Sequence, residues 1–210
     1  MVPKPSKLLF EEAASLPMAA LTALQALRNK GNIQQGQKVL IVSSSGGVGT
    51  FAVQLAKYFG AVVTAVWSSK NLEQTSSLGA DHVIDYTKED FTKNNKSYDL
   101  ILAINGNRPI SAYKRILKPN GIYVMVGGAL LQIFNSILFG WLMSLGSKKM
   151  YFLAAKSNQK DLEFIEKLAE DGKIKPVIDR RYSLDKTAEI MRYLDEGHAR
   201  GKVVINVKIK

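Results

Sequence analysis

A chain of 210 residues with no cysteine is long enough for one substantial core, and it excludes a disulfide framework and any thiolate metal site. Its two histidines, His82 and His198, stand far apart in sequence, so zinc held within this chain is not expected. Lys and Arg number 29 against 18 Asp and Glu, and the net charge of +11 favours anionic partners; the basic residues are scattered, so a basic solvated surface is expected and nucleic acid is not.

Residues 1–32 read as a helical lead-in. The first twelve, MVPKPSKLLFEE, lack the apolar core and small-residue cleavage site of a secretory signal, which points to a cytoplasmic protein. Ser6 to Arg28 is helical in pattern, with Pro17 at a break and restart. From Lys38 the chain alternates apolar strand candidates with helical patterns. The strands are KVLIV (38–42), AVVTAVW (61–67), HVIDY (82–86), DLILAI (99–104), GIYVMV (121–126) and KMYFLAA (149–155). Helical patterns at 48–59, 70–78, about 88–94 and 109–117 lie between the first five. Parallel neighbours need crossover connections, so this alternation predicts an α/β fold, a Rossmann-type doubly wound sheet of six parallel strands over residues 33–175.

The turn after the first strand, SSSGGVG (43–49), carries the chemistry. Its spacing is that of G-x-G-x-x-G, with Ser44 in the first position, Gly46 in the second and Gly49 in the third. Gly46 would let the backbone approach a pyrophosphate at the helix N-terminus, and Gly49 would let the helix pack closely on the strand. A tight turn without a ligand is the plainer alternative. The second strand ends in Trp67, Ser68, Ser69, Lys70 and Asn71, with none of the carboxylates that would bond the ribose hydroxyls of NAD. Two hydroxyls and a lysine suit the 2′-phosphate of NADP, while Ser68 or Ser69 can equally serve as a plain N-cap.

Pro119 to Ser147 is uncharged, but turn signals and polar residues divide it into a strand, a loop and a short apolar helix, buried or at a subunit contact. Membrane contact through 130–147 is the alternative. A further helix spaces Leu162, Ile165, Leu168 and Ala169 on one face and stops at Gly172. Residues 176–210 then form a return segment: a strand in PVIDRRY, a helix capped by Ser183 with Leu184, Ala188, Met191 and Leu194 as its apolar face, and a closing strand after Gly201.

Four stretches resemble the medium-chain dehydrogenase/reductase superfamily, in its zinc-independent quinone oxidoreductase-like branch. They are FEEAASLPMAALTALQAL (10–27), SSSGGVGTFAVQLAK (43–57), LGADHVIDYTKEDF (78–91) and GHARGKVVINV (197–207). The resemblance implies NADPH binding and hydride transfer to a quinone, an enone or a related carbonyl substrate. It places Thr22 at the nicotinamide end, Ser45, Gly46, Gly47, Val48 and Gly49 on the pyrophosphate, and Ser68, Ser69, Lys70 and Tyr86 near the adenosine phosphate. Val126, Gly127 and Gly128 would lie by the nicotinamide ribose and Lys202 close to the cofactor; the pattern names no catalytic acid in this chain. It also implies a homodimer paired through the sixth strand. Two departures stand out. Ala103 and Asn105 replace an acid and a small apolar residue at the fourth strand, and the family's β-rich substrate domain, to which 176–210 would belong, has no counterpart here. A cofactor-binding module without turnover is the alternative to an enzyme.

Overall fold

The computed structural model describes residues 2–68, 77–106, 108–127, 147–197 and 199–207. The lead-in forms α1 (Phe10–Ser15) and α2 (Pro17–Leu24), with Pro17 opening the second helix, where its missing N–H has no helical partner to lose. The chain continues as one π-helical stretch, Gln25–Lys30. Ala19, Ala20, Ala23 and Leu24 of α2 are buried, and small side chains let this helix lie close against its neighbours.

The strands follow as β1 (Lys38–Val42), β2 (Val62–Trp67), β3 (His82–Asp85), β4 (Tyr98–Ile104), β5 (Leu117–Val126) and β6 (Lys149–Leu153). They form one sheet in the order β3-β2-β1-β4-β5-β6, parallel throughout, as the alternating pattern predicts. Residues of the central strands alternate between two cores. Val39, Ile41, Leu100 and Leu102 join α2 and α3 (Gly47–Tyr58) on one face. Leu40, Val42, Ile101 and Ala103 join α4 (Ile110–Ile116) and Phe91 on the other. Burial on both faces explains why these strands read as unbroken apolar runs.

Helix α5 (Gln159–Glu170) opens with the Asn158 side chain accepting from the Asp161 N–H and closes at Gly172, whose φ is +67°. Its Asp161 is clasped by the π-helical stretch: Gln25 Nε2 donates to Asp161 Oδ2 at 2.9 Å and to the Lys156 carbonyl at 2.8 Å, and Arg28 Nη2 donates to Asp161 Oδ1. The return segment makes β7 (Ile178–Ser183), a short 3₁₀ turn, α6 (Thr187–Asp195) and β8 (Lys202–Asn206), with β7 and β8 pairing in a separate two-stranded sheet.

Four expectations need correction. Residues 88–94 are turns, because the Asp85 and Asp90 carboxylates accept from the backbone N–H and hydroxyl of Thr87 and Thr92, local bonds that compete with a helix. Ser183 makes no side-chain cap bond, and a 3₁₀ turn comes before the helix. The apolar stripe of α6 lies outward, with Leu184, Met191 and Leu194 exposed, while Ile190 is the residue that α6 buries. The strand expected at 121–126 begins earlier, at Leu117, which pairs with Tyr98 before a register shift. The helix expected at 70–78 falls largely outside the described residues, as does the apolar helix after Gly128.

Candidate nucleotide site

Strands β1 and β4 are neighbours, but β1 leads outward to β2 and β4 leads outward to β5. The sheet therefore has its topological switch point between them, and a crevice opens above their C-terminal ends. A cavity of about 690 Å³ occupies that place.

Its floor is the serine and glycine turn. Ser43 ends β1 in the left-handed region at φ +58°, and the buried Ser44 hydroxyl donates to the Val66 carbonyl at 3.0 Å, pinning the turn to β2. The glycines differ in what they allow. A Cβ on Gly49 would collide with the Ser43 carbonyl oxygen and stand 2.5 Å from Ser44 Cα, so only glycine lets α3 sit this close to β1. A Cβ on Gly46 would meet nothing within 4 Å: the protein does not need glycine there for its own packing, and the space above it belongs to the cavity. Gly46 caps α3 without a side-chain bond, which leaves the first N–H groups of a twelve-residue helix without a capping side chain beside the cavity. At Gly47 a Cβ would stand 2.7 Å from Lys202 Cδ, so the stem of Lys202 lies across the helix start.

Of the residues expected at the cofactor, Ser45, Gly46, Ser68 and Tyr86 line this cavity. Val48 packs partly into the first core. Thr22 stands outside the lining, buried in α2 with its hydroxyl donating to the Met18 carbonyl at 2.7 Å. Val126 is buried at the end of β5, and Gly127 follows with φ +68°. Ser69, Lys70 and Gly128 lie outside the described residues, as does His198.

Further residues line the cavity that the sequence did not assign to the cofactor, among them Asn105, marked there only as a departure. Asn105 ends β4 at φ +51°, with its Oδ1 only 2.9 Å from where a Gly127 Cβ would stand. The far wall comes from the return segment, through Asp179, Arg180, Tyr193 and Arg200. Asp179 Oδ2 accepts from the Tyr193 hydroxyl at 2.6 Å and from the Arg200 N–H at 3.0 Å. That hydroxyl bond, together with burial, pushes the Tyr193 phenol above its ordinary value, so it remains a neutral donor. The nearest of these residues, Asp179, lies far along the chain from Gly49, and no local pattern links them.

The turn and the switch point fit a nicotinamide dinucleotide. A family model described as zinc-binding dehydrogenase matches residues 78–205. The chain belongs to that family. Among its relatives, the chloroplast envelope quinone oxidoreductase homolog of Arabidopsis thaliana is 34% identical, over 97% of this chain and 64% of its own length. The mitochondrial NAD(P)H oxidoreductase RTN4IP1 of Bos taurus is 39% identical, over 97% of this chain and 57% of its own. The solved structure of the quinone oxidoreductase from Coxiella burnetii superposes with a TM-score of 0.87 at 33% identity, covering 99% of this chain and 64% of that one. These likenesses place the chain in the quinone oxidoreductase-like branch of the medium-chain dehydrogenase/reductase superfamily, an oxidoreductase family. The chain spans less than two thirds of the length of these relatives. Among the described residues no group of three or more His, Asp or Glu side chains is placed to hold a metal, and no helix is long and apolar enough to cross a membrane.

Proposed function

We propose that this chain is the cofactor-binding portion of an NADPH-dependent, zinc-independent oxidoreductase that reduces a quinone, an enone or a related carbonyl compound. The observation that carries the reading is the cavity at the switch point, open at Gly46 and bordered, among the described residues at the end of β2, by Trp67 and Ser68. In this reading the turn from Ser45 to Gly49 binds the pyrophosphate through backbone N–H groups, and Ser68, Ser69, Lys70 and Tyr86 hold the adenosine phosphate. Thr22, Val126, Gly127 and Gly128 orient the nicotinamide end, and Lys202 adds positive charge beside the helix start. The nicotinamide, when bound, supplies the hydride.

The division at 33–175 and 176–210 belongs to the same proposal, with the second piece a return segment of a substrate domain. So does a homodimer paired along β6, an edge strand of the sheet. Cytoplasmic residence completes it, and fractionation of the producing cells tests that part. A second reading is a nucleotide-binding module without turnover, for which the same cavity and glycine turn serve equally.

Calorimetric titration with NADPH and then NADH at equal salt, beside an assay with a simple quinone, tests the proposal. NADPH is expected to bind at least about tenfold more tightly than NADH, since charge-assisted bonds to the extra phosphate have no counterpart in NADH. Binding without quinone reduction selects the second reading. Binding of neither nucleotide overturns both.

A further inference from the structure

The wall facing the glycine turn contains a cation that the reading above leaves without a role. Arg180, exposed on β7, lays its guanidinium 3.7 Å from the centroid of the Tyr193 ring. The ring is itself anchored, because its hydroxyl donates to Asp179 Oδ2 at 2.6 Å. A guanidinium stacked by its face keeps its N–H edge available for planar, bidentate recognition of an oxyanion. One edge nitrogen, Nη1, reaches the Tyr182 hydroxyl at 3.2 Å, a neutral partner. Among the described residues no salt bridge joins Arg180 to a carboxylate.

Two carboxylates line the same wall. Asp179 is already shared between the Tyr193 hydroxyl and the Arg200 N–H, and Glu196 follows the end of α6. At the ends of β2 and β3 the same cavity presents Ser68 and Tyr86, both able to donate to a phosphate oxygen. A cation that is held by stacking and engaged in no salt bridge among the described residues, in one cavity with two hydroxyl donors, suits a phosphate monoester better than a ribose diol.

We propose that Arg180 binds the 2′-phosphate of NADPH from the return segment, together with Ser68 and Tyr86, and so makes the β7–α6 wall a determinant of NADPH over NADH. This rests on the nucleotide reading of the cavity. It also gives the return segment a part in cofactor choice, apart from any contribution to a substrate cleft.

The test uses the full chain and its Arg180→Gln and Arg180→Lys variants, titrated at one ionic strength with NADPH, NADH, 2′,5′-ADP and 5′-AMP. Arg180→Gln is expected to weaken NADPH and 2′,5′-ADP about tenfold or more and to change NADH and 5′-AMP by less than about twofold. Arg180→Lys, which keeps the charge but loses the planar fork, is expected to fall between. Because Arg180 is exposed, the thermal midpoint without nucleotide should hold in both variants. A fall of NADPH and NADH affinity together, or no change in either, overturns the role of Arg180 while leaving the nucleotide site standing. If the unmodified chain binds neither nucleotide, the reading of the site fails and this inference fails with it.

Discussion

Gly46 and Gly49 look interchangeable in a motif, and the backbone treats them in opposite ways. At Gly49 an added methyl would run into the Ser43 carbonyl and the Ser44 backbone, which cannot yield without moving β1 from α3. Gly49→Ala is therefore expected to destabilise the fold by about 1–3 kcal/mol, the usual cost of overpacking, and to lower the melting midpoint by several degrees. At Gly46 the same methyl has room, so Gly46→Ala should leave the stability within about 0.5 kcal/mol of the unmodified chain and weaken NADPH and NADH together. Thermal melts and titrations of the pair read the difference; equal melting losses would show that Gly46 also serves packing. The spacing in the sequence identified both residues as a turn. It could not assign one to packing and the other to open space, since that depends on which atoms stand opposite.

At the scale of elements, side-chain bonds tie distant segments to the nucleotide helix. Gln54 of α3 is nearly buried; its Nε2 donates to the Lys175 carbonyl at 3.0 Å and its Oε1 accepts the Lys175 N–H at 2.8 Å. The return segment thus starts from a fixed point on the helix that floors the cavity, and Lys202 closes over the same helix at Gly47. Nothing in the spacing of Gln54 announces this, because its partner is a backbone 121 residues away. Strand β6 is the element with a further consequence. It stands last in the strand order, where a second copy can add its own sheet, and sedimentation velocity is expected to find a dimer of the 23.2 kDa chain. A monomer at tens of micromolar would remove the homodimer from the proposal.

Across the whole molecule, buried and half-buried carboxylates act as an acid-sensitive set of fastenings. Burial alone would raise Asp161, but hydrogen bonds from Arg28 and Gln25 and the Arg28 charge outweigh it and hold the carboxyl below its ordinary value of 3.8. Burial is likewise outweighed at Asp99 by Lys118 and the Lys38 N–H, and at Asp81 by Lys57 and the Val63 N–H. A carboxyl whose folded value is depressed adds stability that is fully present above its unfolded value and is lost as the pH falls through the folded one. Melting midpoints should therefore hold steady from about pH 7 to pH 5 and drop below about pH 4. Asp161→Asn should lower the midpoint at neutral pH and make the acid drop shallower; an unchanged acid profile would mean that the clasp on α5 contributes little.

The sequence by itself determined the α/β class, the strand order's raw material and the position of the nucleotide turn. Those rest on local signals: apolar runs wherever a strand is covered on both faces, small residues wherever a strand turns tightly into a helix. Where side chains compete locally with the backbone, as at Asp85 and Asp90, the pattern misread turns as a helix. Only the tertiary structure decided that Ser43 and Asn105 take left-handed conformations at the switch point, that Asp161 is clasped from the lead-in, that α6 turns its apolar stripe outward, and that Arg180 and Tyr193 face the glycine turn. The physical reason is common to all four: each depends on which atoms a parallel sheet and its return segment bring together from far along the chain, and the periodicity of a sequence describes only neighbours on one element.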